Sequence, residues 1–393
     1  MVAKPGAAPV RAILHIGAPK CGSSALQRAL SATPVLRGAD GTRHVYLAGR
    51  QGEAGLVPVT GRRLSAMMRH AVHGYVCWPN VARQDDPGAY WAAVGRAVGA
   101  EGARGHVPIL SSEGWVAHAG EAPALARAAG LDLLDAVAFV RPPMDWLNAA
   151  YWQWGIWHTG FFHNRQVERW LERARYDVGP HVAAWAAQPG VRLAVESARG
   201  DVVAGFAARY GLPLTPAGQV NRAPPPALTG FLLRNRRFRP TPHDSAVEFV
   251  VQRWCDFAPS QKLWAFLPRH AQGVWPRLQE DVARMMEALP PEVAERLLAE
   301  PGWTSLDPYW ARMKAGPTRL DAPEDLAALF DGLAEGAARA GAKLGAGGVS
   351  RAKPATSAPV EDWDRAIAGL LDPLLEADLR WRRRGALRRM IGG

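Results

Sequence analysis

The stretch Ala12-Ile-Leu-His-Ile-Gly-Ala-Pro-Lys-Cys-Gly-Ser-Ser-Ala-Leu26 constrains this chain more than any other. An apolar run suited to one buried strand, 11–16, gives way to a loop of glycine, proline and a single lysine, and a helix opens at Gly22-Ser23-Ser24. Where such a loop enters a helix, free backbone N–H groups and the positive end of the helix dipole converge on one point, which suits a phosphate-like anion. Lys20 adds a mobile full charge, and Ser23 and Ser24 add hydroxyl donors. An anionic nucleotide is therefore expected on Pro19, Lys20, Cys21, Gly22, Ser23 and Ser24. The competing reading is a Gly/Ser-capped helix start with an exposed lysine.

The fine spacing says which kind of loop this is. A nucleoside-triphosphatase loop, G-x-x-x-x-G-K-[ST], has its lysine directly after the second glycine. Here Gly17 and Gly22 have that separation, but Ser23 stands in the lysine's place and Lys20 lies inside the turn. A lysine there reaches the near side of an anion rather than a terminal γ-phosphate. There is no G-x-G-x-x-G in the segment either, so a dinucleotide fold is not indicated. The pattern G-x-P-K-C-G-S-S resembles the 5′-phosphosulfate-binding loop of sulfotransferases that use 3′-phosphoadenosine 5′-phosphosulfate, in their bacterial branch.

Two further segments carry the resemblance. Leu134 to Val140 reads as a buried strand, followed by Arg141-Pro-Pro-Met-Asp-Trp-Leu-Asn-Ala-Ala-Tyr151, where the prolines break the strand and a helix of 143–158 begins. This is similar to the family's 3′-phosphate motif, in which a strand-end arginine leads into a helix bearing a serine. Arg141 matches the arginine, but the serine position is Ala149. The missing hydroxyl removes a hydrogen bond to a charged group, worth roughly 1.5–3 kcal/mol. Asn148 is the neighbour that would have to compensate, although it projects differently. Val107-Pro-Ile-Leu-Ser-Ser-Glu-Gly-Trp115 places Glu113 at a strand end, where the resemblance implies a general base for the acceptor hydroxyl. The rival reading makes Ser111, Ser112 and Glu113 a helix cap. Val220-Asn-Arg-Ala-Pro-Pro-Pro226 resembles an Asn-Arg-Ser segment of the family, with Ala223 in place of serine.

The expected fold class is α/β, a central parallel sheet flanked by helices of the P-loop NTPase-like, sulfotransferase type, with a mostly helical C-terminal part. Candidate strands are 11–16, 44–48, 107–111, 134–140 and 191–195, alternating with helices. Buried rather than alternating strands argue for a parallel sheet covered on both faces, with ligands at the strands' carboxyl ends. The expected organisation is a sulfotransferase-like core over 11–240, a helical extension over 241–344, a flexible Gly/Ser/Pro linker over 345–359 and a basic helix over 360–393. The proline- and arginine-rich 221–242 reads as an excursion over the site mouth. In Tyr151-Trp-Gln-Trp-Gly-Ile-Trp-His158, Trp152 and Trp154 read as core and His158 as an acceptor-side candidate; His15 reads as a satisfied near-core histidine.

The resemblance implies transfer of a sulfuryl group from 3′-phosphoadenosine 5′-phosphosulfate to an acceptor hydroxyl or amine, with Lys20 and Glu113 catalytic, Arg141 selecting the 3′-phosphate and no metal. The acceptor, whether carbohydrate, lipid or small molecule, is not readable. The rivals are a non-catalytic nucleotide-binding protein that keeps the fold and an ATP-dependent kinase, the latter disfavoured by the misplaced lysine. With 48% hydrophobic and 21% charged residues the chain is globular rather than disordered. Its net charge of +11 fits a basic cleft for an anionic donor, and the tryptophans are not interleaved with the basic clusters as in a single-strand nucleic-acid platform, so no nucleic acid is expected. No apolar run is long enough to cross a membrane, the first ten residues lack a leader's apolar core, and three cysteines without metal-like spacing fit a reducing cytoplasm.

Overall fold

In the computed structural model, which describes residues 11–52, 55–159, 164–216, 224–258, 262–343 and 352–391, the first apolar run forms strand β1 (Arg11–His15), buried at every residue after Arg11. A strand apolar on both faces needs neighbours at both edges and helices above and below. The neighbours are drawn from β2 (Val35–Arg37), β3 (Arg43–Gly52), β4 (Gly55–Val59), β5 (Val107–Ser111), β6 (Leu133–Val140) and β7 (Val191–Ser197). Together they form a seven-stranded sheet in the order β2-β3-β5-β1-β6-β7, with β4 also on β3. Strands β3, β5, β1, β6 and β7 run parallel, whereas β2 and β4 are antiparallel to β3. The protein is α/β with a mostly parallel central sheet, and its described residues from Pro226 onward are mostly helical.

The five parallel strands fall where the apolar runs place them. β2 and β4 do not appear in the periodicity because β2 has three residues with both ends exposed, and β4 begins at Gly55 and contains Pro58. Both sit at the β3 edge, where a proline and a short strand are tolerated.

The connections position the site. From β1 the chain crosses through the helix Ser23–Ala32 toward the β3 edge, and from β5 it crosses through Ala122–Ala129 in the opposite direction to β6. Right-handed crossovers in opposite directions put their helices on opposite faces. Accordingly Ser23–Ala32 packs on Val202–Tyr210, while Pro87–Gly102 packs on Ala122–Ala129. The connections leaving the adjacent strands β1 and β5 therefore diverge, opening a crevice at their carboxyl ends.

The helical part shares the core of the sheet. Trp363, Ile367, Leu371 and Leu374 of the helix Val360–Ile391 belong to the same buried cluster as Ile13 and Leu14. Much of the arginine excess is spent holding this helix. Arg234 grips Asp364 through two 2.8 Å bonds, Arg237 grips Asp372 at 2.9 and 2.7 Å, and Arg253 and Arg382 share the fully buried Asp378. The stretch read as an excursion is instead packed inside from Pro226. Ala227, Leu228, Phe231 and Leu232 of the helix Pro226–Arg234 are buried, and apolar content outweighs the prolines; residues 221–223 lie outside the described residues. Of the expected linker, 345–351 lie outside the described residues, Lys353 pairs with Asp331 at 2.5 Å, and Ala358 packs against the core.

Candidate active site

Three left-handed residues shape the loop after β1: Gly17 at φ +56°, Lys20 at +64° and Gly22 at +92°. A Cβ on Gly17 would stand 2.8 Å from the Ser112 carbonyl oxygen and 2.9 Å from Glu113 Cα. Only glycine lets the loop close onto the end of β5. Lys20 is the sole non-glycine residue at positive φ among the described residues, a conformation that costs a lysine about 1 kcal/mol. Tight closure holds it there, and strain of this kind gathers at binding sites.

The helix Ser23–Ala32 opens at Gly22 with no side-chain cap. Among the described residues, the backbone N–H groups of Lys20 to Ser24 have no acceptor. Ser23 is 4% exposed and its hydroxyl has no hydrogen-bond partner. An unpaired buried hydroxyl costs about 1–3 kcal/mol, which an oxyanion seated at the helix start would relieve. Ser24 is exposed and lies against the Tyr75 hydroxyl.

Lys20 Nζ donates to Gln153 Oε1 at 2.6 Å. Gln153 lies in a π-helical turn, Tyr151–Gly155, between the helices Pro143–Ala150 and Ile156–Thr159. The single helix expected over 143–158 is thus interrupted. The turn closes on Gly155, where a Cβ would lie 2.7 Å from Tyr151 and 2.9 Å from Trp170. Turns of this type recur at functional sites. The Gln153 carbonyl in turn accepts from Arg239 Nη2 at 3.1 Å, and Arg239, buried and paired with Glu248, lies 3.9 Å over the Trp157 ring. Burial lowers the Lys20 pKa; the charges of Arg239 and Arg141 push the same way, while Glu113 and Cys21 oppose them. Neither Gln153 nor Arg239 stands out in the sequence, because neither belongs to a residue pattern and only the fold brings them to Lys20.

Arg141 follows β6 and lies half-buried against the Cys21 thiol, while its carbonyl accepts the Tyr176 hydroxyl at 2.9 Å. Burial pushes the Cys21 thiol up to about 12, with Arg141 only partly opposing, so Cys21 is a neutral lining residue. Ala149 leaves its position without a hydroxyl, and Asn148 does not fill it. Its Nδ2 donates to the Leu263 carbonyl at 2.9 Å and its Oδ1 accepts from Ala265 N at 3.1 Å, so this amide braces a neighbouring segment. Asp145 is likewise engaged, accepting from Arg199 at 2.6 Å and from the Tyr309 hydroxyl at 2.9 Å.

Glu113 is half-buried at the end of β5, within electrostatic reach of Lys20 and Cys21. It caps nothing, since the short helix Trp115–Ala117 has no side-chain cap. Glu113 and Pro19 instead border a cleft of about 1120 Å³ shared with Trp146, Trp154, Trp170 and His158. Trp152 is buried as expected, and Trp154, half-buried, packs against the core and also lines the cleft. His15 is fully buried, with Nδ1 2.7 Å from Ser111 Oγ, which also accepts from Gln27 at 3.1 Å. Burial lowers its pKa to about 4, so it is neutral near pH 7.

Sequence-predicted residues from three strand ends thus meet at one crevice: Pro19 to Ser24 after β1, Glu113 after β5 and Arg141 after β6. Among the described residues, no three His, Cys, Asp or Glu side chains gather where they could hold a metal ion, and no helix is long and apolar enough to cross a membrane. Comparison with protein-family models, curated proteins and solved structures finds no match to this chain.

Proposed function

We propose that this chain is a sulfotransferase, with the P-loop-like α/β fold of that family, which moves the sulfuryl group of 3′-phosphoadenosine 5′-phosphosulfate to an acceptor hydroxyl or amine. The observation that carries the reading is the meeting of Lys20 and Arg141, cations from two strand ends, at a helix start whose N–H groups and Ser23 hydroxyl are unpaired among the described residues.

In this reading the loop N–H groups from Cys21 to Ser24 and the two serine hydroxyls hold the phosphosulfate by preorganised donors. The acceptor oxygen attacks sulfur, the bond from sulfur to the 5′-phosphate oxygen breaks, and Lys20 stabilises the charge left on that oxygen. Glu113 takes the acceptor proton from the cleft side. Arg141 supplies a charged contact to the 3′-phosphate. Lys20 enters the cycle on Gln153 and has to exchange that partner for the donor.

The engagement of Asn148 elsewhere leaves the Ala149 position without a substitute hydroxyl, which favours a second reading: a nucleotide-binding protein of this fold that performs no transfer. Incubation with ³⁵S-labelled donor and pooled saccharide, phenol and lipid-alcohol acceptors separates the two. Labelled product that disappears in Lys20→Ala supports transfer. Donor binding with no labelled product from any pool supports the second reading.

A further inference from the structure

The cleft beside Glu113 has a chemistry of its own. Its volume of about 1120 Å³ exceeds the roughly 300–1,000 Å³ usual for sites that take one small molecule, so more than one ring fits. Two of its tryptophans are held in place. Trp146 donates to the Pro19 carbonyl at 3.0 Å, and Trp170 is stacked with Phe266 at an interplanar angle of 11° and met edge-on by Tyr151. Trp154 and Trp170 are only half-buried. Rigid, partly open indoles are platforms for the C–H faces of a flat ring.

The polar lining decides what kind of ring. Arg169, Arg173, Glu172 and Asp177 line the cleft, and none of them forms an ion pair among the described residues, although neighbouring Arg175 pairs with Glu280 and Arg269 with Glu168. Over the whole lining three arginines balance three carboxylates, Glu113 included. A cleft with no net charge selects neither a strong anion nor a strong cation. Unpaired donors and unpaired acceptors side by side suit a ligand whose groups both donate and accept, as hydroxyls do. All four are exposed, so a phenol or a lipid chain would use the indoles alone and leave these groups to water, whereas a saccharide engages both.

We infer that the cleft is an acceptor site for an uncharged oligosaccharide of two or three rings, stacked on Trp154 and Trp170 and hydrogen-bonded by Arg169, Arg173, Glu172 and Asp177. The assignment rests on the transfer reading only for the word acceptor; the saccharide site stands on the cleft itself.

The test uses the full chain and named probes, namely cellotriose, maltotriose, chitotriose and 4-nitrophenol, followed by saturation-transfer difference NMR and calorimetry. At least one trisaccharide is expected to bind with saturation on its ring C–H protons. Trp170→Ala and the conservative Asp177→Asn, which keeps the side chain's size, are each expected to weaken it about tenfold. Binding of none of the three sugars, or sugar binding indifferent to Asp177→Asn, overturns the assignment, as does 4-nitrophenol binding tighter than every sugar. Adenosine 3′,5′-bisphosphate is titrated into the same sample. Sugar binding without bisphosphate binding sinks the transfer reading and leaves the saccharide site standing, and the converse sinks only the saccharide site.

Discussion

Lys20 and Gln153, 133 residues apart in the chain, meet through a 2.6 Å hydrogen bond from ammonium to amide oxygen. Gln153 lies in a π turn whose last residue, Gly155, has no room for a Cβ beside Tyr151 and Trp170, and the helix after Arg141 delivers this polar group to the lysine one turn beyond Ala149. The lysine is thereby held, before any ligand arrives, by a neutral partner that an oxyanion can displace.

A charged partner would not be displaced so easily. Gln153→Glu places a carboxylate on Lys20 and is expected to weaken adenosine 3′,5′-bisphosphate binding about tenfold, whereas Gln153→Leu stays within about threefold of the parent. Calorimetry on the two variants checks this, and equal effects would contradict the account of Gln153 as a displaceable partner.

The lowered pKa of Lys20 makes binding proton-linked. In the empty protein, burial and the nearby arginines favour the neutral amine. A bound phosphate favours the ammonium and raises the pKa again. Bisphosphate binding should therefore take up protons above the lowered Lys20 pKa and weaken as pH rises through it. Titrations in buffers of different ionisation enthalpy measure the uptake, and Lys20→Met should abolish it.

Glu113→Gln keeps the shape of the side chain and removes the base. Turnover should fall by about 10²–10⁴-fold, with bisphosphate binding unchanged. Loss of both in proportion would mean that Glu113 serves the loop rather than the chemistry.

Gly17→Ala forces a Cβ to within 2.8 Å of the Ser112 carbonyl oxygen while φ stays at +56°. The expected loss is at least about 2 kcal/mol of unfolding free energy, measured by urea denaturation.

His15 predicts a pH dependence of stability. Its folded pKa of about 4 lies below the ordinary histidine value of 6.5, so between those values the unfolded chain binds the extra proton. Stability falls as pH drops from 6.5 to 4, by up to about 3 kcal/mol from this group, and its contribution then levels off. His15→Gln should flatten that part of the denaturation profile.

The parallel strands were legible because each is apolar on both faces, and the anion loop because glycine, proline, lysine and serine fall between a strand and a helix. The crevice that joins Lys20, Glu113 and Arg141 followed from parallel strands ending on one side. Edge strands β2 and β4 were not legible, being short, exposed or broken by Pro58 and Gly55. Nor was Trp154's place on the cleft wall, which only the packing of distant segments supplies. The positive charge reads in the sequence as fit for a basic cleft, whereas Asp364, Asp372 and Asp378 on a distant helix hold Arg234, Arg237 and Arg253. Long-range pairing of this kind leaves no mark on local sequence.

The central claim is that the loop and Arg141 together hold a 3′-phosphorylated nucleotide. Calorimetric titration of adenosine 3′,5′-bisphosphate against ATP, on the parent and on Arg141→Ala, tests it most directly. The account predicts that the bisphosphate binds more tightly than ATP and that Arg141→Ala weakens it about tenfold or more. Equal affinity for the two nucleotides, or a bisphosphate affinity untouched by Arg141→Ala, would contradict it.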